Sequence, residues 1–135
     1  MNMRTLSLLL AIAVVPVVKA DDKDKSEKKL AKGIIDPKSI DELRGKRHEV
    51  VTVEGKFIRV GESKSGTHRY LNFTNNFRDS VSIVFQISKD PEAFAYDKIK
   101  AWVGKRVRVT GTVTEYGSDL QILIDSWDQI KEVES

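Results

Sequence analysis

Two runs of this chain begin alike and each carries an interior glycine: "GKRHEVVTVEG" over residues 45–55 and "GKRVRVTG" over residues 104–111. In both, β-branched residues alternate with polar ones, the period of a strand with one buried face. A glycine inside such a run marks a bulge, a sharp bend or a close approach of backbone. Long strands that bend at two such places are what a small sheet needs to turn its corners and curl into a barrel.

The rest of the pattern fits around those two strands. The first extends through "VVTVEGKFIRV", with a bulge or bend expected at Gly55, and ends at the loop "GESKSGT". "RYLNFTN" and "VSIVFQIS" alternate with period two on either side of a polar turn around residues 75–80. "KDPEAFAYDKIKAWVG" breaks the rhythm: Asp90 caps, Pro91 takes the first helical position, and Phe94, Ile99 and Trp102 share a helical face before Gly104. "KRVRVTGTVTEY" and "SDLQILIDSW" complete the β pattern. The expected order is three strands, a helix that plugs the open end, then two strands. Alternation turns Val51, Val53, Leu71, Phe73, Val81, Ile83, Phe85, Ile87, Val107, Val109, Val113, Leu120, Ile122 and Ile124 inward.

Ahead of this domain stand two other segments. Residues 1–20 carry a basic start at Arg4, an apolar run from Leu6 to Val18 and a small residue at Ala20, the features of an export signal cleaved after Ala20. The run is too short to span a bilayer comfortably, so no integral membrane protein is expected after its removal. Residues 21–38 open with "DDKDKSEKK", a solvated, flexible tether. Pro37 punctuates the approach to the domain at 39–135, and Ser39 caps a short helical turn over "IDELRG".

The whole chain holds 23 Lys and Arg against 20 Asp and Glu, but two of the basic residues lie in the signal. The mature chain is therefore nearly neutral, and a polyanion partner must be argued from where charges sit. There is no cysteine, so an exported domain rests on packing rather than disulfides. Only His48 and His68 are present, and no acidic cluster has metal-ligand spacing. No nucleophile sits in a strained-turn motif beside a base, and "GESKSG" lacks the ending of a phosphate loop. The expectation is a non-enzymatic protein without cofactor or metal, periplasmic or secreted and bacterial.

The strand order, the interior glycines Gly55 and Gly111 and the phrase "GKRVRVTGTV" resemble the OB-fold, a five-stranded Greek-key barrel that is all-β apart from one helix. "VTVEGKFIRV", "YLNFTN" and "VSIVF" are similar to the characteristic stretches of nucleic-acid-binding OB domains of the tRNA-anticodon and helicase type. The resemblance implies a groove across the second and third strands, flanked by the loops after strands one and four. Single strands bind such grooves by stacking bases on rings while Lys and Arg follow the phosphates. Tyr70 is the outward ring; Arg59, Lys64, Arg69 and Arg78 supply charge; Asn72 and Gln86 reach base edges. Arg69 and Tyr70 are adjacent and cannot both face outward, so Tyr70 takes the face and Arg69 the strand entrance.

Each of these residues also has an ordinary reading: a cross-strand tyrosine, solvated arginines, an exposed amide. Phe77, at a loop tip, folds back or meets a partner. Glu62, Asp79, Glu115 and Asp119 beside the same loops repel phosphate. Two alternatives therefore stand beside single-stranded nucleic acid. Small exported OB-fold proteins of the bacterial envelope-stress family are similar in length, signal and architecture, which implies a small cationic ligand. An envelope protein met through Phe77 and the "ESKSG" loop is the other.

Overall fold

The computed structural model describes residues 30–134. The expected export signal and the charged stretch over residues 21–29 lie outside the described residues. From Lys32 onward the chain forms one compact unit.

That unit begins earlier than Ser39. A two-residue strand, β1 (Ile34–Ile35), pairs in parallel with β2 (Val50–Lys56), Ile34 beside Thr52 and Ile35 beside Val53. Ile35 is buried, and the Pro37 carbonyl accepts the Val81 amide at 2.9 Å. Residues 34–38 therefore belong to the barrel and not to the tether, because Ile34–Ile35 brings its own apolar edge to the sheet. The helical turn after it is α1 (Ile40–Arg44); the Ser39 side chain makes no capping hydrogen bond.

The expected long first strand is two strands. β2 ends at Lys56, and β3 (Arg59–Glu62) starts on the far side of Phe57–Ile58. Then follow β4 (His68–Asn72), β5 (Ser82–Gln86), α2 (Tyr96–Lys100), β6 (Arg106–Tyr116), β7 (Asp119–Ile124) and β8 (Ile130–Glu132). Neighbours run β1-β2-β6-β7-β5-β4-β3, with β8 added to β6. β5 and β7 are parallel, and the pairs β2–β6, β6–β7, β4–β5 and β3–β4 are antiparallel. The path does not close by a hydrogen-bonded ladder; its two halves meet where β2 runs into β3. This is the five-stranded OB-like order, with the first strand broken at its corner.

The break is not at Gly55. That residue keeps regular register opposite Val107. A Cβ there would lie 2.9 Å from both the Phe73 ring and Pro37 Cγ, so glycine answers a close approach and not a bulge. The inward set follows the alternation: every residue expected inside is buried except Ile87, which sits half-buried in a 3-10 turn. The helix is shorter than its sequence pattern. Asp90 Oδ1 accepts the Ala93 amide at 3.1 Å and caps a turn only. The Ala93 carbonyl takes Trp127 Nε1 at 2.9 Å and the Phe94 carbonyl takes Arg69 at 2.8 Å, so neither extends a helix. The plug is aromatic: Phe94 and Trp127 pack on Phe85, and Trp102 stacks on Trp127 at 5.6 Å.

On the outer face of β2 and β6, Glu54 is only 4% exposed and receives Arg106 Nε at 2.8 Å and Arg108 Nε at 2.9 Å. Burial alone would push this carboxyl up, but the hydrogen bonds and charges of Arg108 and Arg106 outweigh it and hold it below the usual range.

Two predictions follow from the packing. Gly111→Ala places a Cβ 2.6 Å from Ile122 Cγ2 and 3.0 Å from Gln129 Nε2. It should lower unfolding stability by about 1–3 kcal/mol in urea titration, whereas Gly61→Ala, whose Cβ meets nothing closer than 3.8 Å, should not. A depressed carboxyl stabilises above its unfolded pKa and loses that contribution as pH falls through the folded one. Melting temperature should therefore hold from neutrality down to about pH 5 and then fall more steeply in the wild type than in Glu54→Gln.

Candidate functional site

Strand register assembles one face of the barrel from four strands. Arg59, Asn72, Ser82 and Gln121 form a row across β3, β4, β5 and β7, and Gly61, Tyr70, Val84 and Leu123 form the next. These positions point away from the core. Yet Asn72 is 5% and Val84 1% exposed, so the face is a hollow and not a flat wet sheet.

The walls come from three places. β6 turns into β7 through Gly117, which has a positive φ of 64°, and sets Tyr116 opposite Asp119. Glu115 anchors that end of β6 by accepting from Arg44 of α1 and, at 2.7 Å, from Arg47. The polar turn after β4 carries Phe77 in a 3-10 turn whose start is fixed by Asn76 Oδ1 accepting the Arg78 amide at 3.0 Å. Tyr70 lies beside Gly61, where an added Cβ would meet the tyrosine ring only at an ordinary 3.8 Å. The resulting groove has a volume of about 350 Å³ and is lined by Arg59, Gly61, Glu62, Tyr70, Asn72, Phe77, Ser82, Tyr116, Asp119 and Gln121.

Some of its polar groups are engaged. Ser82 Oγ donates to Asn72 Oδ1 at 2.8 Å, Arg59 donates to the Asn75 carbonyl at 2.8 Å, and Glu62 pairs with Arg69 at 2.9 Å. Others are not. Among the described residues, the Asn72 amide nitrogen, the Gln121 side chain and the Tyr70 and Tyr116 hydroxyls have no hydrogen-bond partner. Asp119 Oδ1 is buried and makes no hydrogen bond; its nearest cation, Arg78 Nε, is 3.9 Å away. Burial, and then the neighbouring Tyr116, pushes the Tyr70 phenol up, so it remains a protonated donor at neutral pH.

The expected site residues divide. Arg59, Tyr70 and Asn72 line the groove. Arg78 stands at its rim, stacked 5.4 Å over the Phe77 ring and 71% exposed. Gln86 shares the face, opposite His68, but lies beyond the groove. Lys64 is exposed in a loop laced together by Ser63, Ser65 and Thr67, also away from the lining. Arg69 points to the other side, where it binds Glu62 and the Phe94 carbonyl. Phe77 faces the groove instead of folding fully back. Glu62 and Asp119, read from sequence as phosphate-repelling, belong to the lining, together with Ser82, Tyr116 and Gln121. The hairpin signal "EYGSD" was enough to oppose Tyr116 and Asp119; nothing local announces the parallel pairing that sets Gln121 beside Ser82.

No protein-family model matches this chain, and no curated protein matches it. Solved structures do. The chain superposes on OBody AM2EP06 bound to hen egg-white lysozyme with a TM-score of 0.53 at 14% identity, over 78% of this chain and 96% of that one. A chain of the S. pombe Stn1–Ten1 complex gives 0.47 at 15% identity, over 64% of this chain and 59% of that one. A putative aspartyl-tRNA synthetase from Leishmania major Friedlin gives 0.47 at 14% identity, over 86% of this chain and 25% of that one. At these identities the OBody likeness speaks to fold alone, the OB-like barrel.

Removing Arg69 should act on the fold and removing Arg78 should not. Arg69→Ala strips a buried carbonyl and an ion pair and should lower stability by about 1–3 kcal/mol. Arg78→Ala should stay within about 0.5 kcal/mol, both read from urea midpoints.

Proposed function

We propose that this chain is a non-enzymatic binding module that takes a short single-stranded nucleic-acid segment in the groove across β3, β4, β5 and β7. One observation carries the reading: three rings, Tyr70, Phe77 and Tyr116, flank a floor of hydrogen-bonding groups that the protein leaves unengaged. Rings offer stacking surfaces to bases of any sequence, and the free amides and carboxylate face base edges. Arg59 and Arg78 are the cations on that side. This fits the OB domains of the tRNA-anticodon and helicase type that the sequence resembles. Residues 1–20 extend the proposal to an exported module, periplasmic or secreted.

A second reading has its own support. The Asp119 carboxylate lines the groove without a hydrogen-bond donor among the described residues, which favours a small cationic ligand.

Fluorescence anisotropy with a single-stranded 12-mer separates the two. Binding should be micromolar at low salt. With two phosphate-facing arginines, the slope of log K against log salt should be about −1.4. Tyr116→Ala and Tyr70→Ala should each weaken binding by about 1–3 kcal/mol. Tyr116 is 76% exposed, so its removal should leave stability within about 0.5 kcal/mol. No binding at low salt would overturn the nucleic-acid reading; a melting temperature raised by spermidine in that case would mark a cation site.

A further inference from the structure

We infer that Asp119 makes the groove selective for bases whose edge presents an amino group, and that thymine and uracil are bound less well. The inference rests on the nucleic-acid reading above and adds what that reading leaves open, its base preference.

Asp119 begins β7 opposite Tyr116, with its side chain 27% exposed. The exposure is uneven: Oδ1 is enclosed and receives no hydrogen bond. Arg78 does not satisfy it, since Nε stands 3.9 Å away and that guanidinium lies over the Phe77 ring, largely in solvent. Closed off in this way, Oδ1 cannot be reached from the groove; Oδ2 is the accessible oxygen, it has no donor among the described residues, and an N–H that enters the groove finds it free. Two strands away on β4, Asn72 is held through its oxygen by Ser82, which leaves the Asn72 amide hydrogens for the groove. Gln121, one row in from Asp119 on β7, has a free side-chain amide. The groove thus offers one fixed acceptor, one oriented donor and one group able to serve either way.

That set matches an edge with an amino group next to a ring acceptor. Cytosine presents N4–H2 to a carboxylate and N3 to an amide donor, and adenine presents N6–H2 and N1 in the same order. Guanine offers its N2 amino group. Thymine and uracil put a carbonyl oxygen where cytosine has the amino group, so the Asp119 carboxylate meets an acceptor. Stacking on Tyr70, Phe77 or Tyr116 does not distinguish the two pyrimidines, because each has a comparable ring face. Discrimination between them therefore reports on Asp119.

The test compares fluorescent dC8 and dT8 on the chain at low salt. The dC8 strand should bind about tenfold more tightly, the equivalent of one good edge contact. In Asp119→Asn, whose amide can present either its oxygen or its nitrogen, the ratio should fall to about threefold or less. A dC8 strand carrying N4,N4-dimethylcytosine keeps the ring and loses the amino hydrogens; on the native protein it should bind no better than dT8. Equal binding of dC8 and dT8 would overturn the inference while leaving the groove a nucleic-acid site. A dC8 preference that survives the dimethyl bases would overturn it as well, and this arm decides the matter even if Asp119→Asn fails to fold. If neither strand binds at low salt, the nucleic-acid reading falls and the base preference with it.

Discussion

Two residues hold the barrel together at its corner. The Phe57 amide donates to the Lys105 carbonyl at 3.0 Å, and its own carbonyl accepts the Gly104 amide at 2.7 Å. One residue later the Ile58 amide donates to the Asn72 carbonyl at 2.9 Å. The chain therefore changes partners within a single dipeptide, from the β6 side of the barrel to the β4 side. Phe57 is fully buried and stacks on Phe73 at 4.8 Å, so an aromatic contact fixes the turn where no ladder runs through. The register of the groove descends from this point. Arg59 pairs with Asn72 immediately after the corner, and the row continues through Ser82 to Gln121. A slip of one residue at Phe57–Ile58 would exchange the groove face for the core face along β3.

A frame held this firmly can carry groups that gain nothing in the empty protein. The unbonded Asp119 Oδ1 costs about 1–3 kcal/mol by the usual measure of a buried group left without its hydrogen bond. An uninterrupted core of Phe57, Leu71, Ile83, Phe85, Val109 and Ile122 offsets it, and the surrounding ladders prevent the site from collapsing around it. The groups that do bond, Ser82 to Asn72 and Arg59 to the Asn75 carbonyl, orient the lining and reduce the reorganisation that binding would demand. Engaged and unengaged side chains thus divide the labour: the first hold shape and the second meet whatever enters.

Alternation made the barrel legible because one face of each strand is a core face. The same rule correctly parted Tyr70 from Arg69, since neighbours on a strand face opposite ways. It was silent on Arg69's partners, because Glu62 is reached across β3–β4 and the Phe94 carbonyl lies 25 residues away in the plug. The break after Lys56 was hidden for a similar reason. "GKFIRV" is as β-prone at Phe57 and Ile58 as on either side, and only the competing pull of Gly104–Lys105 and Asn72 divides it. Gly55 drew attention in its place, although its role is to admit the Phe73 ring. Of the groove's lining, Arg59, Tyr70 and Asn72 were named from the sequence as contacts and Asp119 only as a repelling charge, while Ser82, Tyr116 and Gln121 were named as neither. Gln121 joins through a parallel pairing across some forty residues of chain, which no local periodicity encodes.

Charge separates the two faces of the sheet in a way that bears on what the groove can hold. Lys56, Arg106, Arg108 and Lys131 gather on the outer side of β2, β6 and β8, where Glu54 offsets two of them. The groove has Arg59 and the rim residue Arg78 against Glu62 and Asp119, and Glu62 is already paired with Arg69. A surface of that kind does not bind a phosphate backbone by field alone, since little counterion release is available from two arginines. Its affinity must come from rings and edges. For a nucleic-acid strand this means weak binding with a shallow salt dependence and a marked response to base identity, the reverse of a basic patch. The same balance bears on Asp119: a carboxylate that would spoil a phosphate site is compatible with the proposed contact to the edge of a base.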